Sequence, residues 1–408
     1  MRRVHRDPSI AIQETLLKSQ NVYVEEIIEK GRMSAFQFSL LSLCGLCLLI
    51  DGFDVQAMGY VAPVIIEEWG TTKSALGPVF GAGLLGMLVG SLVLTPISDR
   101  FGRRPVLILS TFFFSVCMII TTQATSIEEL LVLRFVTGLG LGAIMPNAMA
   151  LVGKYSPTHS RVNRMMMISC GFTLGAALGG LISAALIPAF GWRSVFWVGG
   201  IAPALLVVAM FVWLPESIQF MVLKDRPKQK IAHWLRKIDG TLVIHTETNI
   251  IVQERPTKGM PVAELFRDGR SSVILLLWLI IFMNLINLYF LSNWLPTLLK
   301  DSGYSTSIAV LAGTALQVGG IVGTLTLGSL INRFGFTPVL LGCFLLASCA
   351  VAAIGSVAPL LPVLVVAIVV AGFCIVGGGW SAGSKCLSWV LLPHIASLNW
   401  HRLDIRNR

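Results

Sequence analysis

One short motif occurs twice in this chain, 233 residues apart, and each copy lies between two long apolar runs. Residues 90–107 read GSLVLTPISDRFGRRPVL and residues 323–340 read GTLTLGSLINRFGFTPVL. Gly90 aligns with Gly323, Asp99 with Asn332, Arg100-Phe101-Gly102 with Arg333-Phe334-Gly335, and Pro105 with Pro338. A duplicated apolar unit with a charged loop in each half restricts the fold to a membrane protein built from two repeats, the layout expected of a secondary transporter.

Charged residues make up 13% of the chain, about half of the roughly 25% usual in soluble proteins. Apolar runs of about 20 residues recur, each long enough to cross roughly 30 Å of hydrocarbon. The pattern predicts an all-α polytopic membrane protein with helices near 36–66, 75–97, 105–124, 127–152, 165–188, 193–214, 271–298, 306–331, 336–356 and 358–379. The first 35 residues are polar, include Arg2, Arg3 and Arg6, and lack the apolar core of a cleavable signal peptide.

A net charge of +10 raises the question of a nucleic-acid partner. Its distribution argues against one. The N-terminal arm and the alternate loops that follow it in register hold 23 of the 31 Lys and Arg, whereas the intervening loops hold only Lys73, Arg193 and Lys300. That asymmetry places the N-terminus and the long central loop in the cytoplasm. The LKDRPKQK run of the central loop then reads as a linker touching anionic lipid heads. Seven of the eight cysteines fall inside spans, and Cys44 and Cys47, although spaced as CxxC, sit in a continuous apolar helix where nothing activates a thiol.

Asp51 and Asp54 lie inside the first span. An Asp at mid-helix costs about 2.5–3.5 kcal/mol on insertion scales, so two of them call for a role. Their i, i+3 spacing puts them on one helix face, where they can share a proton. The alternative is that the span ends near residue 54 and both acids sit among headgroups, but the apolar QAMGYVAPVII continues after them. Proton coupling or substrate gating is therefore the favoured reading. The 233-residue offset maps Asp51 onto Asn284, Asp54 onto Asn287 and Pro63 onto Pro296, so the second half keeps polarity there without charge. Arg134 is the single basic residue within a span. It can pair with an aspartate, fork onto a substrate carboxylate, or snorkel to the headgroups. The seventh span offers Asn284, Asn287, Tyr289, Asn293 and Trp294 as pocket candidates, with the two aromatics open to service as interfacial anchors, and Gln317 in the eighth span is a further one. His159 reads as a solvated loop residue. No metal-ligand cluster, nucleotide loop or hydrolytic triad is visible, so neither cofactor nor covalent chemistry is expected.

In the 98–105 loop, Gly102 permits a positive φ, Pro105 suits a first helical turn, and Asp99 can cap a helix or pair with Arg103 or Arg104. This segment, with its degenerate second copy (Gly323, Asn332, Arg333, Gly335), looks like the loop signature of the major facilitator superfamily. The other marks follow in order: Arg134 with Gly138, Gly140 and Gly142, then LPES at 214–217. DGFD at 51–54, RFVTGLGLGAIMPNA at 134–148, GFTLGAALGG at 171–180 and LYFLSNWLPTLL at 288–299 resemble the aromatic acid/proton symporters within it, over residues 36–378. The resemblance implies a major facilitator fold of two six-helix pseudo-repeats, a monomer in the bacterial inner membrane, and import of benzoate-like carboxylates with protons. It also implies that Gly90, Asp99, Arg100, Gly102, Arg103 and Arg104 form a gate latch, with Asp99 facing the start of an eleventh span. Ala176 replaces the proline of the superfamily's antiporter motif, which leans towards symport.

The expected organisation is a cytoplasmic arm (1–35), a six-helix bundle (36–216), a central loop (217–270), four spans of a second bundle (271–379) and a tail (380–408) that departs from the family pattern. Shifting a synonymous back-translation of that tail by one nucleotide can restore a family-like sequence, which suggests a frameshift near Gly378 or Gly379, and the repeat offset would extend a full second half to about residue 450. Other readings are a sugar-type carrier, a membrane sensor or receptor, and an inactive transporter fragment. DGFD and the Asn/Trp set of the seventh span argue against the first, and the small central loop against the second.

Overall fold

The computed structural model describes residues 21–30, 33–240, 242, 249–252, 271–356 and 360–379. A short strand β1 (Asn21–Tyr23) leads into α1 (Val24–Lys30). The first half then runs through α2 (Ala35–Trp69), α3 (Lys73–Phe101), α4 (Arg103–Thr121), α5 (Ile127–Leu141), α6 (Ile144–Lys154), α7 (Arg161–Phe190) and α8 (Arg193–Trp213). After it come α9 (Ile218–Leu223), α10 (Lys228–Ile238) and β2 (Asn249–Ile251). The second half contains α11 (Ser271–Asp301), α12 (Thr306–Phe334), α13 (Phe336–Ser356) and α14 (Leu361–Gly372), the last continued by a π-helical turn over Phe373–Gly377. Among the described residues nine helices are long and apolar enough to cross a membrane, with Leu361–Gly377 a shorter apolar segment. Nine of the ten expected spans are present among the described residues, and the tenth corresponds to the shorter segment Leu361–Gly377. The fourth is interrupted between α5 and α6, and the first runs three residues beyond its expected end.

The duplication read from sequence extends to element boundaries. α3 and α12 begin and end 233 residues apart at both termini, and α4 and α13 begin at the same offset. Gly102 and Gly335, the turn residues of the two motif copies, adopt φ of 110° and 90°. That conformation strains any residue with a Cβ, which explains why both copies carry glycine there.

By packing, the chain divides into two compact units that cut across the halves. One comprises Met1–Asp51, Gly81–Gly171 and Gly200–Lys258; the other comprises Gly52–Phe80, Phe172–Gly199 and Gly259–Arg408. The first is built on Leu40, Cys44 and Leu48 of α2, Leu107, Phe114 and Met118 of α4, Leu151 of α6 and Met210 of α8, all buried. It also contains a small polar-side layer inside the segments expected to be arm and loop. β1 and β2 pair in parallel, Asn21 opposite Asn249 and Tyr23 opposite Ile251. α1 and α10 bury Val24 and Ile28, and Ile231, Leu235 and Ile238, respectively. Trp234 of α10 stacks at 5.3 Å on Phe36 at the start of α2.

The second unit packs Leu291, Leu295 and Leu299 of α11 with Leu316 of α12, Leu364 and Ile368 of α14 and Cys374. Its first-half part is held by Tyr60 and Trp192, both fully buried. Tyr60 Oη donates to the Ala176 carbonyl of α7 at 2.9 Å.

Candidate functional site

The DGFD segment lies in the middle of α2, which continues fifteen residues beyond Asp54 to Trp69. Asp51 and Asp54 are each 1% exposed. Between them α7 crosses α2 closely: a Cβ on Gly52 would overlap the backbone carbonyl of Phe172 in α7. The glycine between the acids thus lets α7 lie flush on α2. Two carboxyl groups in such surroundings must share protons or opposing charge.

Arg134, in α5, is 5% exposed. Its Nη2 lies 3.6 Å from the Met118 sulfur of α4, so the guanidinium is held inside the helix packing instead of reaching to the surface. It shares the first unit with Asp51, whereas Asp54 belongs to the second.

The turn between α3 and α4 is more elaborate than its sequence suggests. Asp99 and Arg103 form the expected ion pair at 3.2 Å, with the carboxylate side chain 64% exposed. A pair that open to water contributes little. The firmer anchor is Glu216, which sequence reasoning recorded within LPES without assigning it a role. Its carboxylate accepts the backbone N–H of Arg103 (3.1 Å), Arg104 (3.3 Å) and Ser217 (2.8 Å), capping the start of α4. Arg104 completes the clasp by donating through Nε to the Leu214 carbonyl (2.7 Å) and through Nη2 to the Phe211 carbonyl (2.6 Å) at the end of α8. Tyr155 Oη donates to the Glu216 carbonyl at 2.6 Å. Gly90 is buried, Arg100 stacks on Phe101, and Arg333 stacks on Phe334 in the second copy. Gly323 is packed against the Phe373 backbone, and the Asn332 side chain lies outside the described residues.

Burial raises the Glu216 carboxyl above its usual range, against the lowering pull of the three N–H donors and of Arg104. A carboxyl raised on folding adds stability at low pH and loses that addition as pH climbs through its folded value. Glu216→Ala, which strips the acceptor from three N–H groups, is expected to cost about 2 kcal/mol. Glu216→Gln keeps one acceptor oxygen and is expected to recover part of that loss, with a flatter stability profile above pH 4.5 than the native chain. Thermal unfolding in detergent across pH checks both.

In the second unit the polar candidates separate. Asn293 is buried, and Gln317 donates to Ser292 Oγ at 3.3 Å across α11 and α12. Trp294 meets Phe80 of α3 edge-on at 5.2 Å. These five residues lie on α11, α12 and α3. Asn284 is buried but donates to the Ile375 carbonyl at 3.2 Å, helping to hold the π-helical turn. Asn287 is exposed and bonds back to the Met283 carbonyl of its own helix, and Tyr289 is half-buried. His159 is exposed as expected and faces Glu29 at 3.3 Å. Cys44 and Cys47 are buried, with the Cys47 sulfur 3.6 Å from that of Met210. Among the described residues no group of three His, Cys, Asp or Glu is arranged to hold a metal. The tail beyond Gly379 lies outside the described residues.

Repeated membrane helices, a charged turn conserved in geometry between repeats, and carboxyl and guanidinium groups buried at mid-helix define a membrane carrier, not an enzyme. The Major Facilitator Superfamily model matches residues 44–396, and the chain belongs to that superfamily. It is 38% identical to the 4-hydroxybenzoate transporter PcaK of Pseudomonas putida over 355 residues, covering 87% of this chain and 79% of that protein. It is 36% identical to the gallate transporter of the same organism over 354 residues, covering 87% and 79% of the two chains. Among solved structures, the xylose transporter XylE of E. coli superposes with a TM-score of 0.67 at 19% identity, over 89% of this chain and 85% of that one, a likeness of fold.

Proposed function

We propose that this chain imports an aromatic carboxylate, of the 4-hydroxybenzoate or gallate kind, together with protons by alternating access. The observation that carries the reading is the burial of Asp51, Asp54 and Arg134 within apolar helices of a chain whose relatives are transporters of 4-hydroxybenzoate and gallate. Buried carboxyls suit proton uptake and release, and a buried guanidinium suits a carboxylate substrate. Asn293, Trp294 and Gln317 supply aromatic and hydrogen-bonding surface for a ring substituent, with Asn284, Asn287 and Tyr289 as outlying candidates. Asp99, Arg103 and Arg104, clasped by Glu216, act as the gate at the basic-loop end, and Asn332 and Arg333 as its weaker second copy. The excess of Lys and Arg in alternate loops supports a cytoplasmic N-terminus in a bacterial inner membrane. The organisation we favour is a monomer with a six-helix bundle at 36–216 and a second bundle from 271.

Uptake of labelled 4-hydroxybenzoate into vesicles with an inward-directed proton gradient tests this reading. Accumulation that collapses with an uncoupler is expected. Uptake of glucose in preference, or accumulation indifferent to the uncoupler, overturns it.

A further inference from the structure

Within the second unit, α2 and α11 meet at positions that the repeat makes equivalent. Gly59 lies so close to α11 that a Cβ there would come 2.7 Å from the carbonyl of Ser292, its counterpart at an offset of 233. Two turns further on, about 12 Å along the helices, Glu67 Oε2 lies 3.3 Å from Nζ of Lys300, again its counterpart. A contact between equivalent residues at two levels means that the local two-fold relation of the repeats runs between these helices. On such an axis an unaltered duplication would set a charge against its own copy. This chain sets Glu against Lys, turning repulsion into attraction. Beside them Lys73, at the start of α3, pairs with Asp301, at the end of α11. Lys300 also donates to Thr306 Oγ1, the counterpart of Lys73, at 2.9 Å.

We infer that Glu67, Lys73, Lys300 and Asp301 form a lock that joins the two repeats at the end of the spans opposite the basic loops and must open in every transport cycle. The inference rests on the alternating-access reading above. Both pairs cross from the first repeat to the second, and alternating access requires contacts between repeats to break at one end while they form at the other. The four side chains are 33–70% exposed. Exposed pairs of this kind are weak and reversible, which suits a contact that is broken at each turnover. The Phe80–Trp294 contact at 5.2 Å lies in the same unit and supplies apolar closure beneath the charges. A third pair provides a control: Arg193 Nη1 and Glu68 Oε1, 2.8 Å apart, join α8 to α2 within the first repeat alone.

The test uses the full chain reconstituted in liposomes with spin labels at Thr72→Cys and Ser302→Cys, read as a distance distribution. Neutralising both pairs (E67Q, K73Q, K300Q, D301N) is expected to shift the closed-to-open ratio by up to about 25-fold, about fivefold for each exposed pair. High external salt should move the native charges in the same direction and leave the neutral variant unmoved. The charge-swapped pair E67K/K300E should restore the closed distance, and R193Q should not change it. Distances that ignore neutralisation and salt, or a swap that fails where R193Q matches the neutral variant, overturn the lock. Native chain that shows both distances without any aromatic-acid uptake would instead sink the substrate reading and leave the lock standing.

Discussion

Replacing both acids of the DGFD segment (D51N/D54N) is expected to leave a chain that inserts and folds but no longer concentrates its substrate. Asn is nearly isosteric with Asp, so the crossing of α2 on α7 at Gly52 and Phe172 should survive. What disappears is the ability to bind and release a proton in the interior. A carrier coupled to one proton per substrate accumulates it about tenfold for each unit of pH gradient, because one unit is worth about 1.4 kcal/mol. The variant should approach equal concentrations on the two sides, while exchange of labelled for unlabelled substrate continues. The single variants separate the roles: the acid that carries the proton should abolish accumulation alone, and its neighbour should alter mainly the apparent substrate affinity. Uphill accumulation retained by D51N/D54N would remove both residues from coupling.

Gly52→Val should produce the largest structural loss. Two buried residues flank the position, and the obstacle to a side chain is the Phe172 backbone, which cannot rotate away as a flexible side chain would. Overpacking a core typically costs about 1–3 kcal/mol, and a clash with backbone belongs at the upper end. The expected result is a sharp fall in folded protein recovered in detergent and in Tm. Gly77→Ala, at a position with open space around it, should change neither. If Gly52→Val folds and unfolds as the native chain does, the close crossing of α2 on α7 does not depend on the glycine.

The repeat was legible because membrane spans leave long apolar signals and because turn geometry fixes residue type. Gly102 and Gly335 sit at matching positive φ, and α3 and α12 share both boundaries at one offset. Asp99 with Arg103 was legible too, since four residues on a helix bring side chains together. Glu216 escaped because its partners lie 112 and 113 residues away and are backbone N–H groups, which no residue pattern reports. The layer formed by α1 and α10 escaped for a different reason. Ile231, Leu235 and Ile238 do carry helical spacing, but they sit among the cations of KQKIAHWLRKI and the charge dominates the reading. The polar set of the seventh span was recognised as a group, yet helical geometry divides it: Asn293 is buried, whereas Asn287, six residues earlier, is exposed and spends its amide on its own backbone.

The parallel pairing of β1 with β2 constrains the order of assembly. Asn21 leaves the ribosome early, and its partner Asn249 follows 228 residues later, after all six first-half spans. Closing a flexible loop of that length costs about 5 kcal/mol of chain entropy, far more than three residues of strand pairing return. The pairing becomes favourable only once the intervening helices have already brought the two segments together. The little two-stranded layer therefore acts as a completion mark: it should gain protection from amide hydrogen exchange after the spans do, and deleting Asn21–Tyr23 should slow the last phase of assembly without disturbing the helices inserted before it.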